Sequence, residues 1–147
     1  MLFNTRSFSI SGVAGLNTAA RPTLVGTCAT CHNTPDVGGN SGNLFVDIGI
    51  SDGSRRTPDM PLYTIRNIAT GQTVQTTDPG LALSTGKWAD IGRFKVPNLR
   101  SIGARSPYFH GGSRSSVEGV VGFYNARFGM RLTPADQADL VAFIKAL

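Results

Sequence analysis

Apolar positions are periodic only in the last third of the chain. Val117, Val120, Val121 and Tyr124 recur at i, i+3, i+4 and i+7, which puts them on one helix face. The run Ser115-Ser116-Val117-Glu118 predicts a capping box, with Ser115 at the N-cap and Glu118 at the third helical position. Glu118 is the sole glutamate, and capping accounts for it without a catalytic role. A second helix is expected from Thr133, with Pro134 at its first position and Asp136 at its third. Leu140, Val141, Ile144 and Leu147 form its apolar face.

Upstream the pattern weakens. Residues 1–24 mix polar and apolar positions around Gly12, Gly15 and Pro22, and read as an extended wrapping segment. A short helix is expected from near Gly26 to about Asn33, ended by Pro35. Gly38, Gly39, Gly42, Gly49 and Gly53 punctuate the next stretch. Leu44, Phe45, Val46, Ile48 and Ile50 read as a short strand or as one edge of a binding site. Weak alternation through Ile65, Ile68 and Val74 predicts a small hairpin around Thr70-Gly71.

With 147 residues, 40% hydrophobic and 16% charged, the chain has enough apolar material for one folded domain over 1–147. Eighteen glycines and eight prolines imply much loop. A long irregular stretch sits poorly in a compact domain unless it lines something large. The formal charge of +5 suits an acidic protein partner. The basic residues are scattered and form no nucleic-acid-binding motif, so nucleic acid is not an expected partner. No stretch approaches the roughly 20 apolar residues of a membrane span. Residues 1–20 carry Arg6 and several polar residues where a secretory signal would be apolar.

The chemistry centres on Cys28-Ala29-Thr30-Cys31-His32. This spacing is the attachment signature of c-type haem. Each thiol forms a thioether with one porphyrin vinyl group, and the adjoining imidazole of His32 becomes the fifth iron ligand. No other cysteine exists, and His110 is the one histidine outside the motif. A structural zinc site would need four such ligands, and a thioredoxin-like dithiol would need a βαβ context. A Cys28–Cys31 disulfide is the plainer alternative. One covalently bound haem c therefore predicts a mainly α, cytochrome c-like fold: a few short helices around the haem, long loops, and room for one small hairpin. Covalent attachment of this kind takes place outside the cytoplasm, so a periplasmic or other extracytoplasmic location and a removed leader are expected. Trp88 reads as a haem-packing or core aromatic rather than an electron relay.

Three further runs carry a resemblance. Phe94-Lys95-Val96-Pro97-Asn98-Leu99-Arg100, Ser106-Pro107-Tyr108-Phe109-His110-Gly111-Gly112-Ser113 and Ser116-Val117-Glu118-Gly119-Val120-Val121-Gly122-Phe123-Tyr124 lie in that order. With the closing run from Pro134 to Leu147 and the haem motif, they resemble the C-terminal haem domain of bacterial dihaem cytochrome c peroxidases, whose usual pattern is close to FKVPTLRN, APYFHDGS and TLEEVV. In that family the C-terminal haem stores and passes electrons while the other haem meets peroxide. The resemblance implies an electron-transfer domain, and it carries no peroxidase activity with it. Pro97 is expected near the proximal imidazole and Tyr108 against the cofactor. Arg100 follows the Pro97 turn, and its fork matches a carboxylate, so it reads as a partner for a haem propionate or else as a solvent-exposed side chain.

Four side chains compete for the sixth iron position: Met130, Tyr124, Met60 and His110. Thioether ligation opposite histidine raises the potential and suits electron transfer, and Met130 lies just before the last helix, as in small His/Met cytochromes. The resemblance instead puts the family's ligand at Tyr124. Met60 precedes Pro61 in a loop, and His110 reads more naturally as a hydrogen-bonding group. The leading expectation is a monohaem electron carrier serving a larger oxidoreductase, with no catalytic residues. The alternative is a peroxidase-like or ligand-binding haem enzyme with an open sixth position, which needs an acid–base group nearby.

Overall fold

The computed structural model describes residues 1–33, 37 and 44–147. The expected roles of Pro35, Gly38, Gly39 and Gly42 fall outside the described residues. The mainly α expectation is overturned: among the described residues the fold is mixed α/β, with four α-helices and three two-stranded antiparallel sheets. Helices α1 (Leu2–Thr5) and α2 (Ala82–Thr85) are single turns. Helices α3 (Val117–Phe128) and α4 (Pro134–Lys145) are the two long ones and pack on each other.

The strands supply what the expected helices do not. Strand β1 (Phe8–Ser11) pairs with β2 (Thr23–Gly26), aligning Ile10 with Leu24. Its alternation, with Ile10 buried between exposed Ser9 and Ser11, is a half-buried strand pattern. Strand β3 (Phe45–Val46) pairs with β6 (Phe94–Lys95), two residues on each side. The hairpin of β4 (Tyr63–Arg66) and β5 (Thr73–Thr76) faces Ile65 against Val74. In its loop the Asn67 side-chain oxygen accepts from the Ala69 and Thr70 amides, an Asx turn that fixes the reversal.

Helix α4 begins with Thr133 and Asp136 in a reciprocal capping box, with Pro134 in the first turn. Helix α3 starts one residue later than its sequence suggests. Ser116, not Ser115, is the N-cap and accepts from the Gly119 amide at 3.1 Å. Glu118 is therefore not the capping-box acid. Its carboxylate instead accepts from Lys145 Nζ at 2.6 Å, tying the start of α3 to the end of α4.

Two apolar clusters form the core. One joins Phe3, Val117, Val121, Met130, Leu132, Leu140 and Val141 across α1, α3 and α4. The other joins Ile10, Val13, Val46 and Val96 across the small sheets. Arg127 links the two halves, donating to the Ile48, Ser11 and Gly12 carbonyls. At Gly15 the chain passes so close to β3 that an added Cβ would lie 2.1 Å from the Phe45 carbonyl oxygen, at φ +92°. Gly86 also has positive φ, but an added Cβ there meets open space. Gly86→Ala should cost about 1–2 kcal/mol for its left-handed backbone. Gly15→Ala should cost clearly more in chemical denaturation, because the collision is with backbone. Equal costs would mean that β3 yields freely.

Candidate functional site

A cavity of about 430 Å³ lies between the two clusters, within the roughly 300–1,000 Å³ range of small-molecule and cofactor sites. Its walls are apolar and aromatic, including Phe8, Val46, Phe94, Val121, Phe128 and Leu140. Cys28, Cys31 and His32 all border it.

The motif forms a single-turn 3₁₀ helix, Cys28–Thr30, in place of the longer helix expected from Gly26 to Asn33. Thr27 and Thr30 are the reason: the Thr27 amide donates to the Thr30 hydroxyl at 2.9 Å, and the Thr27 side chain caps in return. Side chains that bond their own backbone in this way favour short turns over long helices. One α-type closure remains, from the His32 amide to the Cys28 carbonyl at 3.0 Å. It brings both thiols and the imidazole to one side of the cavity.

His32 Nδ1 lies 3.1 Å from the Pro97 carbonyl oxygen. A carbonyl only accepts, so Nδ1 carries the proton and Nε2 keeps a free lone pair, the form of a metal-ligating imidazole. Burial pushes the His32 pKa down to about 4, against the smaller upward pull of that hydrogen bond, so the ring is neutral at pH 7. Burial likewise pushes Cys28 up to about 11 and raises Cys31. A redox-active dithiol needs a lowered thiol pKa, which these cysteines lack. No disulfide joins them. Among the described residues no group of three or more His, Cys, Asp or Glu side chains is arranged to hold a metal ion.

Met130 and Tyr124 both line the cavity. Met130 is buried in a clamped turn: its amide donates to the Asn125 carbonyl, and the Arg6 guanidinium donates to the Met130 carbonyl at 3.3 Å. Gly129, left-handed at φ +56°, ends α3 just before it. Tyr124 lies on α3, and its phenol is pushed above the ordinary range, first by burial and then by the nearby Cys31 and Cys28. Tyr108 is buried on the same lining and donates its hydroxyl to the Gly103 carbonyl at 3.4 Å.

The other expected residues divide between this cavity and places away from it. Trp88 and Met60 line a separate open groove between the β4–β5 hairpin and α2. Arg100 is not on the cavity lining, and its amide donates to the Asn98 side chain at 2.7 Å. His110 borders the cavity, and its Nδ1 hydrogen-bonds the Asp78 carboxylate, whose other oxygen accepts from the Gly80 amide. Its ring packs on Phe94 with centroids 4.6 Å apart. Sequence reasoning passed over Asp78, and it named Phe94 and Phe109 only within the runs that carry the resemblance, with no role at the site. Asp78-Pro79-Gly80 was a readable turn signal, but nothing local linked it to His110.

The cavity fits a c-type haem on its own evidence. Two thiols and a correctly protonated imidazole share one wall, most of the rest is apolar or aromatic, and none of the lining residues is a carboxylate.

Relatives point the same way. Cytochrome-c peroxidase IdrP1 of Denitromonas iodatirespirans is 31% identical over 140 residues, spanning 82% of this chain and 36% of that protein. Cytochrome c551 peroxidase of Nitrosomonas europaea is 31% identical over 121 residues, 82% of this chain and 30% of its own length. Cytochrome c peroxidase Ccp of Escherichia coli K12 is 30% identical, with 82% of this chain and 22% of its own length covered. The chain thus spans about a third or less of the curated relatives it matches. No protein-family model matches it, and no solved structure matches it significantly. Among the described residues no helix is long and apolar enough to cross a membrane.

Proposed function

Since the chain is a homologue of one part of the bacterial cytochrome c peroxidases, we propose that it is a c-type cytochrome domain that binds one haem and transfers electrons. The observation that carries this reading is the His32–Pro97 hydrogen bond at 3.1 Å, made beside two reduced thiols on an apolar cavity. Bound there, haem supplies one-electron Fe(III)/Fe(II) chemistry. Cys28 and Cys31 anchor it, and the Pro97 carbonyl fixes the ring orientation and tautomer of His32. Met130, held in its clamped turn, would supply the second side-chain ligand to the iron. The apolar walls exclude water, which keeps the site's polarity low and favours a raised potential.

A haem held by two thioethers is attached outside the cytoplasm, which supports a periplasmic or other extracytoplasmic location. The net charge of +5 suits an acidic redox protein as partner, in the setting of a larger oxidoreductase. A second reading, peroxide or small-ligand chemistry at an open sixth position, draws support from the His110–Asp78 pair on the cavity rim. A carboxylate-oriented imidazole is the acid–base group such chemistry needs.

Optical spectra of the purified holoprotein separate the two. The electron-transfer reading expects low-spin spectra in both oxidation states, with a weak ferric near-infrared sulfur-to-iron band and no change on adding cyanide or peroxide. A high-spin ferric spectrum that shifts with either ligand would put the enzyme reading ahead.

A further inference from the structure

The solvent-facing part of the cavity lining comes from one stretch of chain. The lining residues that are themselves exposed are Lys95, Pro97, Arg105, Pro107 and His110, all from the segment 95–110. The lining contributed by α3, α4 and the N-terminal strands is buried or half-buried. Two of the five rim residues are permanent cations. Among the described residues, neither Lys95 nor Arg105 has a hydrogen-bond or ion-pair partner for its charged group. The third polar rim residue, His110, is held by Asp78. With no carboxylate among the lining residues, the mouth is a positive rim on an apolar pocket. Such a rim is complementary to a flat apolar molecule that carries its negative charge at one edge.

Resting on the haem reading above, we infer that Lys95 and Arg105 form the anchor for the two porphyrin carboxylates. The haem then sits with its propionate edge toward the 95–110 rim and its apolar edge inward. Arg105 takes the role that the sequence suggested for Arg100. An Arg fork matches a carboxylate in two parallel hydrogen bonds, while Lys presents a point charge, so Arg105 holds its carboxylate in the more fixed geometry. Both cations also offset propionate charge near the iron. They thereby favour the less positive ferrous state, and their loss lowers the potential.

The test is on the holoprotein. Lys95→Gln, Arg105→Gln and the double variant are compared with Arg21→Gln, which removes one exposed charge from a turn away from the lining. Midpoint potentials are measured at low and high salt, and the propionate-bending bands are followed by resonance Raman. The expected result is a lower potential in each rim variant, largest in the double, together with shifted propionate bands. Arg105→Lys should restore the potential but not the band, because the charge returns without the fork. Arg21→Gln should leave both unchanged. Equal potential changes in Arg21→Gln and Arg105→Gln, or propionate bands unmoved in the double variant, would overturn the anchor. Failure of the haem reading itself looks different: the wild-type protein would then show no haem spectrum at all.

Discussion

Produced with a c-type haem maturation system, the Cys28→Ala/Cys31→Ala double variant is expected to carry no haem that survives denaturing electrophoresis, while the wild-type chain keeps its haem through the same gel. The two thiols are the only ones in the chain, so no other residue can form the thioethers. Both are reduced and border the cavity within one turn of His32. Each single variant should retain haem through one thioether, with the reduced absorption bands moved to longer wavelength by the surviving vinyl group. The loss should also reach the fold. The cavity walls are apolar side chains from both core clusters, and apolar surface left unburied forfeits about 25 cal/mol per Å². The double variant should therefore unfold at lower denaturant than the holoprotein. Haem that stayed bound through the gel in the double variant would remove the motif from its assigned role.

Legibility in the sequence depends on the range of each interaction. The haem motif, the Thr133–Asp136 cap and the β4–β5 hairpin are encoded within a few residues of one another, and each stands where its residues indicate. The other sheets are different. Phe45 pairs with Lys95 and Val46 with Phe94, and two-residue strands carry no period to detect. Phe8–Ser11 does alternate, but its partner Thr23–Gly26 lies across a loop rich in glycine and alanine. With both sheets hidden, cytochrome-like chemistry made a mainly helical fold the natural expectation. Ser115 and Ser116 are equally good caps in isolation, and the helix takes the second, whose hydroxyl accepts from the Gly119 amide. The aromatic lining shows the same limit. Trp88 was the conspicuous aromatic, yet Phe94 and Phe109 face the cavity, because tertiary placement decides which rings reach it.

Tertiary placement also leaves Met130 and Tyr124 on the same lining, so substitution must separate them. Met130→Leu is the informative change, because leucine keeps nearly the same volume and such swaps usually cost under about 1.5 kcal/mol. Met130→Ala would add about 2–5 kcal/mol of cavity cost in the buried cluster and blur the reading. With Met130 as the sixth ligand, Met130→Leu should lose the ferric near-infrared band, turn high-spin and bind cyanide. Its potential should fall by on the order of 0.1 V, a fraction of the about 0.8 V over which axial ligands set haem potentials. Tyr124→Phe removes one hydroxyl and should leave spectrum and potential in place. The opposite pair of results, an altered Tyr124→Phe and an unaltered Met130→Leu, would move the ligand to α3 and give the haem the low potential of a phenolate-bound iron. Arg6 offers a check independent of either side chain. It donates to the carbonyls of Met130 and Arg131, so Arg6→Ala should loosen the turn without removing the sulfur. The near-infrared band should then weaken on mild warming, well before the protein unfolds, and return on cooling.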